Sequence, residues 1–183
     1  MTRSVLHFFF VGIVLAMTTS LASATTIVTR TPEQLAQESA LVVDGKVTGV
    51  RTYWNDAHSK IFTEATVAVD GTHKGAAASS LRIVQLGGVV GNVRMTAHGA
   101  LAWKTGEEVL LFLEPSGTGA YQVAGFSQGK YTIERDTRSG KAFVRQALPA
   151  DAHESPAATA SSGTAGAERV TLEQFLNRVL PQR

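Results

Sequence analysis

The sequence predicts a mostly β protein, a small antiparallel β-barrel with a short helix before it and an amphipathic helix at the C-terminus. Apolar and polar residues alternate with a period of two from Lys60 to Gly71, which is typical of a half-buried strand. Five consecutive apolar residues, Val109–Leu113, indicate a strand covered on both faces. Gly45 and Gly49 interrupt the first strand, as at a bulge or a barrel corner.

The first 24 residues have the three parts of a secretory signal peptide. Arg3 supplies positive charge, Val5–Met17 is mostly apolar, and Ala22–Ala24 holds small residues. We expect cleavage between Ala24 and Thr25, and a secreted or periplasmic location. An uncleaved N-terminal anchor is the alternative, but the apolar stretch is shorter than the roughly 20 residues of a membrane span.

Residues 25–183 amount to one domain's worth of chain, long enough to bury a core. The sequence has no cysteine, so disulfides, thiol nucleophiles and cysteine-ligated metals are excluded. It contains 17 basic and 15 acidic residues, and loss of Arg3 with the signal leaves 16 against 15, a formal charge of +1. Without a basic stripe we expect no nucleic-acid binding. No later segment is long and apolar enough for a stable membrane span after signal cleavage.

The first predicted element of the folded part is a helix from Pro32 to about Glu38. Thr31 and Gln34 form a capping box, and Pro32 occupies the first helical position. A strand at 40–51 and turn formers at 52–59 follow. The alternating strand places Ile61, Thr63, Ala65, Val67 and Val69 on one face. We then expect a loop at 72–80, a strand at 81–86, a glycine-rich turn at 87–92 and a short strand at 93–99.

The apolar run Val109–Leu113 predicts a central strand, with a helix or loop covering its second face. A turn at 115–119 then returns the chain antiparallel at 120–126. The segments 127–135 and 141–146 predict a further hairpin around 136–140.

The composition predicts four regions, which are the signal at 1–24, the β domain at 25–147, a linker at 148–168 and a helix at 169–183. The linker is rich in Ala, Ser, Gly and Pro, which indicates disorder. Thr171 and Gln174 form a second capping box, and one helix face is apolar. That face either docks on the β domain or binds a partner's groove. Its residues are Leu172, Phe175, Leu176 and Val179.

The sequence contains no recognisable catalytic, cofactor or metal motif, so we predict no catalytic residues, cofactor or metal. After signal removal the histidines are His58, His73, His98 and His153, without a metal-binding spacing. Ser127 stands in GFSQG, one letter from a nucleophile elbow, but a strand rather than a helix follows it.

Glu107 and Glu108 are adjacent and would point to opposite faces of a strand. They therefore do not suggest an acid/base pair, and we expect them to flank and solubilise the apolar run.

Three aromatic residues near predicted loops are candidates for partner contact, namely Tyr53, Trp54 and Trp103. The alternative is that they cap the ends of the barrel.

The segments ALVVDGKVTGV, IFTEATVAVDGTHKG, GEEVLLFLE and GAYQVAGFSQGKYTI resemble secreted bacterial proteins of unassigned function. The same order is similar, more distantly, to the netrin-like domain of tissue inhibitors of metalloproteinases. This resemblance spans roughly Ala40–Arg135 and implies an OB-type barrel. Those inhibitors chelate zinc through an N-terminal cysteine and carry disulfides, which this sequence lacks, so their mechanism is not implied. The matching positions are Val42, Val43, Gly45, Lys74, Gly75, Gly106 and Leu110–Leu113.

The function expected from the sequence is an exported, non-enzymatic binding module that contacts or regulates a secreted protein such as a protease. The alternatives are a hydrolase with a site assembled from loops, using Ser127 or a histidine, and a carbohydrate-binding domain. The sequence leaves the oligomeric state open.

Overall fold

The computed structural model describes residues 29–117, 119–147, 149 and 169–180. The predicted cleavage site and, except for Pro149, the predicted linker lie outside these ranges. The mostly β class is confirmed. Neither helix in the described ranges is long and apolar enough to cross a bilayer.

In chain order the elements are α1 (Pro32–Glu38), β1 (Leu41–Trp54), β2 (Ile61–Lys74), β3 (Ser80–Leu86), β4 (Gly88–Val90), β5 (Val93–Met95), β6 (Glu108–Ser116), β7 (Ala120–Val123), β8 (Lys130–Arg135), β9 (Ala142–Gln146) and α2 (Leu172–Val179).

Seven strands form one sheet in the order β1-β2-β3-β7-β6-β8-β9, and β4 and β5 form a separate hairpin. Because β1 also pairs with β6, the sheet closes partly into a ring through β1, β2, β3, β7 and β6. The pairs are antiparallel except for β3 with β7, which run parallel through the single register pair Ile83 and Tyr121.

The long strand β1 bends so that it can pair with two strands. Its register with β2 shifts near Gly45 and again between Val47 and Gly49, which confirms the predicted bulges. Gly45 permits a close approach to β2, because a Cβ atom there would collide with the carbonyl of Ala68. The bent β1 pairs with β6 through Leu41–Lys46 and with β2 as far as Trp54.

Strand β6 is buried on both faces, as its apolar run predicted. Alternate residues contribute to two different apolar clusters, because successive side chains of a strand point to opposite faces. Val109, Leu111 and Leu113 join the inner cluster within the ring. Leu110 and Phe112 join the outer cluster beneath the two helices. The other inner residues are Leu41, Val43, Val47, Ala65, Val67, Leu81, Ile83, Leu101 and Val123.

The two helices cover the outer cluster. Leu35 of α1 is fully buried there, and Phe175 and Val179 of α2 are each 4% exposed. The Phe175 ring lies 4.8 Å from that of Tyr131 and 6.4 Å from that of Phe112, measured between centroids. Of the two alternatives for the apolar face of the C-terminal helix, the structure therefore has the one in which this face docks on the β domain.

Both helices begin with the capping boxes that the sequence predicts. The Thr31 hydroxyl accepts from the Gln34 amide at 3.3 Å, and the Thr171 hydroxyl accepts from the Gln174 amide at 3.2 Å. Both glutamine side chains accept from the backbone of the cap residue. These short helices thus have their first N–H groups satisfied before packing contributes.

Several strand boundaries differ from the prediction. Strand β1 continues to Trp54, where turn formers were expected, and β5 and β7 end earlier than expected, at Met95 and Val123. Two further differences follow from strand pairing. Strand β2 continues to Lys74, where a loop was expected, because its end pairs with Val42–Asp44 of β1. The Lys74 ammonium then donates to the carbonyls of Ala36 and Gln37 at the end of α1. The glycine-rich segment at 87–92 contributes to the β4–β5 hairpin instead of forming only a turn. In both places pairing overrides local sequence preference.

The outer edge of β9 is paired to the residues that precede α2. The Val144 amide donates to the Val170 carbonyl at 3.1 Å, and Phe143 bridges Thr171. An edge strand with open hydrogen-bonding groups is a template for aggregation. This contact covers part of the edge and brings α2 back onto the sheet.

Replacing Phe175 with alanine tests the docking of α2. Loss of a buried aromatic side chain leaves a cavity in the outer cluster, so we expect the unfolding free energy to fall by about 3 kcal/mol. Urea unfolding followed by circular dichroism measures this change. Glu173→Gln, on the exposed side of α2, is the control and should be close to neutral. Equal stability of Phe175→Ala and the parent would show that α2 does not dock in solution.

Alkaline titration tests the environment of Tyr131. Burial raises the pKa of Tyr131 to about 12; the charge of Arg178 opposes this rise and that of Glu33 adds to it. An unfolded tyrosine has a pKa of about 10, so the neutral phenol stabilises the fold fully below pH ~10. We expect that contribution to disappear as the pH rises through about 12. Tyrosinate absorbance should show one late-titrating group that Tyr131→Phe removes; late titration that persists in Tyr131→Phe would contradict the assignment.

Candidate functional site

A groove with a volume of about 530 Å³ lies where β3 and β7 diverge. The two strands share only the pair Ile83 and Tyr121, and residues 97–100 close the groove along one side. The turn between β7 and β8 forms another wall. The lining residues are Arg30, Ile83, Val84, Gln85, Leu86, Ala97, His98, Gly99, Ala100, Glu114, Gln122, Val123, Gly125 and Phe126.

Phe126 is the most unusual residue of the groove. Its backbone has a φ of 63°, in the left-handed region that bulky residues avoid, and 61% of the residue is exposed. The turn that holds it is closed by the Gly129 amide donating to Ala124 at 3.1 Å. Gly99 lies opposite, where an added Cβ atom would be 3.3 Å from that of Phe126. The fold thus keeps a large aromatic ring at the rim of the groove despite the backbone cost.

The charged residues of the groove differ in how they are compensated. Arg30 forms an ion pair with Glu38 at 2.9 Å, and its backbone amide donates to Gln128 at 2.8 Å. Within the described residues, the Glu114 carboxylate has only the Gln122 amide as a hydrogen-bond partner, at 3.4 Å. The groove therefore contains a carboxylate for which the described part of the chain supplies no cation.

The structure does not bring the three predicted aromatic contact residues together. Tyr53 stacks on Phe62 with centroids 6.1 Å apart, on the outer face of β1 and β2. Trp54 lies against His58 in the following turn. Trp103 packs on the inner cluster. The contacts of the three side chains share no residue, so they do not form one patch.

Trp103 belongs to a buried polar network that the sequence did not suggest. Its indole N–H donates to Gln85 at 3.2 Å, and the Lys130 ammonium lies 4.5 Å from the centre of its ring. The Gln85 side chain also donates to the Leu101 carbonyl at 2.8 Å. Trp103 therefore packs toward the interior of the β structure.

Lys130 is a charged member of this network and a possible nucleophile, but it is only 2% exposed. Its ammonium donates to Glu107 at 2.8 Å and to the Ala102 carbonyl at 2.7 Å. Burial lowers the pKa of Lys130, whereas the hydrogen bond and charge of Glu107 act in the opposite direction. Thr132 also donates to Glu107. We interpret this enclosed pair as a structural link between β8 and the start of β6.

Glu107 and Glu108 occupy different environments. Glu107 is half-buried against Lys130, so it does more than solubilise the start of β6. Glu108 pairs with Arg135 at 2.7 Å on the surface. Each carboxylate thus has its own cation, and the two do not form an acid/base pair.

The residues considered for hydrolysis are also separated. His73 pairs with Asp44 at 2.5 Å, His58 contacts Trp54, and His98 lines the groove. Ser127 is 9% exposed, and among the described residues its hydroxyl has no hydrogen bond to a histidine. Strand β8, rather than a helix, follows Ser127 in the described structure. In the same part of the chain no cluster of three or more potential metal ligands occurs.

Comparison of the chain with protein-family models and with curated proteins yields no match. The geometry of the groove is therefore the basis for assigning a function.

The sequence pattern drew attention to the segment that contains Phe126 but not to the exposure of this residue. GFSQG drew attention to Ser127, whereas the exposed group is the phenylalanine before it. A usable signal was present, since a large apolar residue between Gly125 and two polar residues is unusual within a turn. The groove itself depends on how β3 meets β7, which the local pattern does not specify.

Phe126→Asn tests the backbone cost at the groove rim. Asparagine tolerates the left-handed region better than phenylalanine, so we expect the unfolding free energy to rise by about 1 kcal/mol. Val93→Asn is the matched control, because Val93 is also an exposed apolar residue but has no positive φ. Chemical denaturation of both variants measures the difference. A loss of stability in Phe126→Asn larger than in Val93→Asn would show that the ring stabilises the fold.

Proposed function

We propose that this protein is an exported, non-enzymatic binding module that contacts another exported protein through the groove between β3 and β7. One observation carries the proposal, which is the exposed Phe126 held at a φ of 63° on the rim. A conformation that costs stability while exposing an aromatic ring is typical of functional sites. Exposed aromatic residues are also frequent anchors of protein interfaces.

A row of apolar side chains extends from the groove across the outer sheet face. Leu86, 41% exposed, lines the groove and is the register partner of Phe62. Phe62 in turn pairs with Tyr53 on β1. Of the three aromatic residues singled out in the sequence, Tyr53 therefore belongs to the proposed surface. Leu86 is exposed, and Phe62 and Tyr53 are half-buried. Apolar surface that is open to solvent in this way supports an interaction site.

The positions of Trp54 and Trp103 favour a protein partner over a sugar. A carbohydrate platform built on these two tryptophans would require exposed indole rings that can stack against a sugar face. Trp103 instead packs on the inner cluster, and Trp54 lies against a histidine.

We further propose that the partly closed ring is an OB-type barrel related to netrin-like domains. Support comes from the five-strand cycle, from the bulged β1 and from the parallel β3–β7 pair. Gly75 and Gly106 of the resemblance have positive φ values, in keeping with turn positions. OB-type barrels commonly bind ligands on a strand face, but the fold selects no particular function.

A pull-down from the exported fraction of the source cells tests the proposed function. The full chain beginning at Thr25 is the bait, beside its Phe126→Asn and Val93→Asn variants. We expect a reproducible protein partner that the parent and Val93→Asn retain and that Phe126→Asn loses by about tenfold or more. The intact mass of the native protein from the same fraction should correspond to an N-terminus at Thr25.

Two results would contradict the proposal. One is the absence of any reproducible partner of the parent chain, and the other is equal retention by Phe126→Asn. An intact mass that includes residues before Thr25 would refute the predicted cleavage separately.

A further inference from the structure

We infer that the groove binds an extended polypeptide segment in which an apolar residue lies next to a basic one. The inference rests on the proposed function and specifies its partner chemistry. Three features of the groove carry it, namely the strand edges, the apolar rim and the carboxylate without a cation.

The groove runs along the edges of two strands. Four consecutive residues of β3, Ile83–Leu86, line it together with Gln122 and Val123 of β7. Successive side chains of a strand point to opposite faces, so four consecutive lining residues mean that the main chain itself borders the groove. Beyond the single pair of Ile83 with Tyr121 the strands diverge. Diverging strand edges suit a ligand that is itself an extended chain.

The rim offers one pronounced apolar contact. Phe126 and Leu86 are both exposed and both line the groove, as does the half-buried Val84. Gly99 faces Phe126 without a side chain. An apolar side chain of the ligand can therefore pack against the ring.

The charges in the groove indicate that the ligand residue next to the apolar one is basic. Arg30 is paired with Glu38, so its charge is already compensated. The Glu114 carboxylate contacts only the Gln122 amide among the described residues. A lysine or arginine in the ligand would complete this site with a charge-assisted hydrogen bond. An acidic peptide would instead meet an uncompensated carboxylate.

Selection from a library of random heptapeptides displayed on phage tests the inference, with the full chain beginning at Thr25 as the target. We expect enriched peptides to carry lysine or arginine beside an apolar residue. Their affinity, measured with synthetic peptides, should fall about tenfold for Glu114→Gln and for Phe126→Asn. Val93→Asn should bind as the parent does, because Val93 does not line the groove.

Three outcomes would overturn the inference. They are the absence of enriched peptides, enriched peptides that bind Glu114→Gln and Phe126→Asn as well as the parent, and peptides that bind only to a chain beginning at Thr29. The last result would mean that residues 25–28 compete with the peptide for the groove. These residues directly precede the segment that contains Arg30, which lines the groove. If the pull-down partner depends on Phe126 but no heptapeptide does, the proposed function stands and the extended-peptide inference fails.

Discussion

The burial of β6 on both faces is the constraint on which the rest of the structure depends. A strand with five consecutive apolar residues needs cover on two sides, and the protein provides it with a ring of strands on one side and two helices on the other. Without disulfides, this two-sided packing is the main source of stability. The bulged β1 contributes to this cover, because its bend lets one strand pair with both β2 and β6.

Local patterns predicted much of this arrangement. The capping boxes at Thr31 and Thr171 located both helices, and the uninterrupted run at 109–113 indicated cover on a second face. What the patterns could not predict is pairing between distant strands. The extension of β2 to Lys74 and the parallel approach of β3 to β7 depend on partners far along the chain. Long-range register leaves little trace in a local window of sequence.

The candidate site lies at the pairing of β3 with β7, which local sequence patterns do not predict and which consists of one register pair. A single parallel register pair joins β3 to β7 in the ring of strands, which leaves a groove between these two strands. The turn between β7 and β8 borders this groove and holds Phe126 in a costly backbone conformation. Tyr53 stacks on Phe62, whereas Trp103 contacts the interior and interacts with Gln85 and Lys130. Aromatic residues near loops are ambiguous in this way, because capping a core and contacting a partner require the same residue types.

The placement of the two helices has a consequence for the order in which the molecule can be completed. Leu35 lies close to the first described residues and Phe175 close to the last, yet both pack on Phe112 and its neighbours. The outer half of the hydrophobic interior is therefore complete only once α2 has been synthesised, later than every strand that it covers.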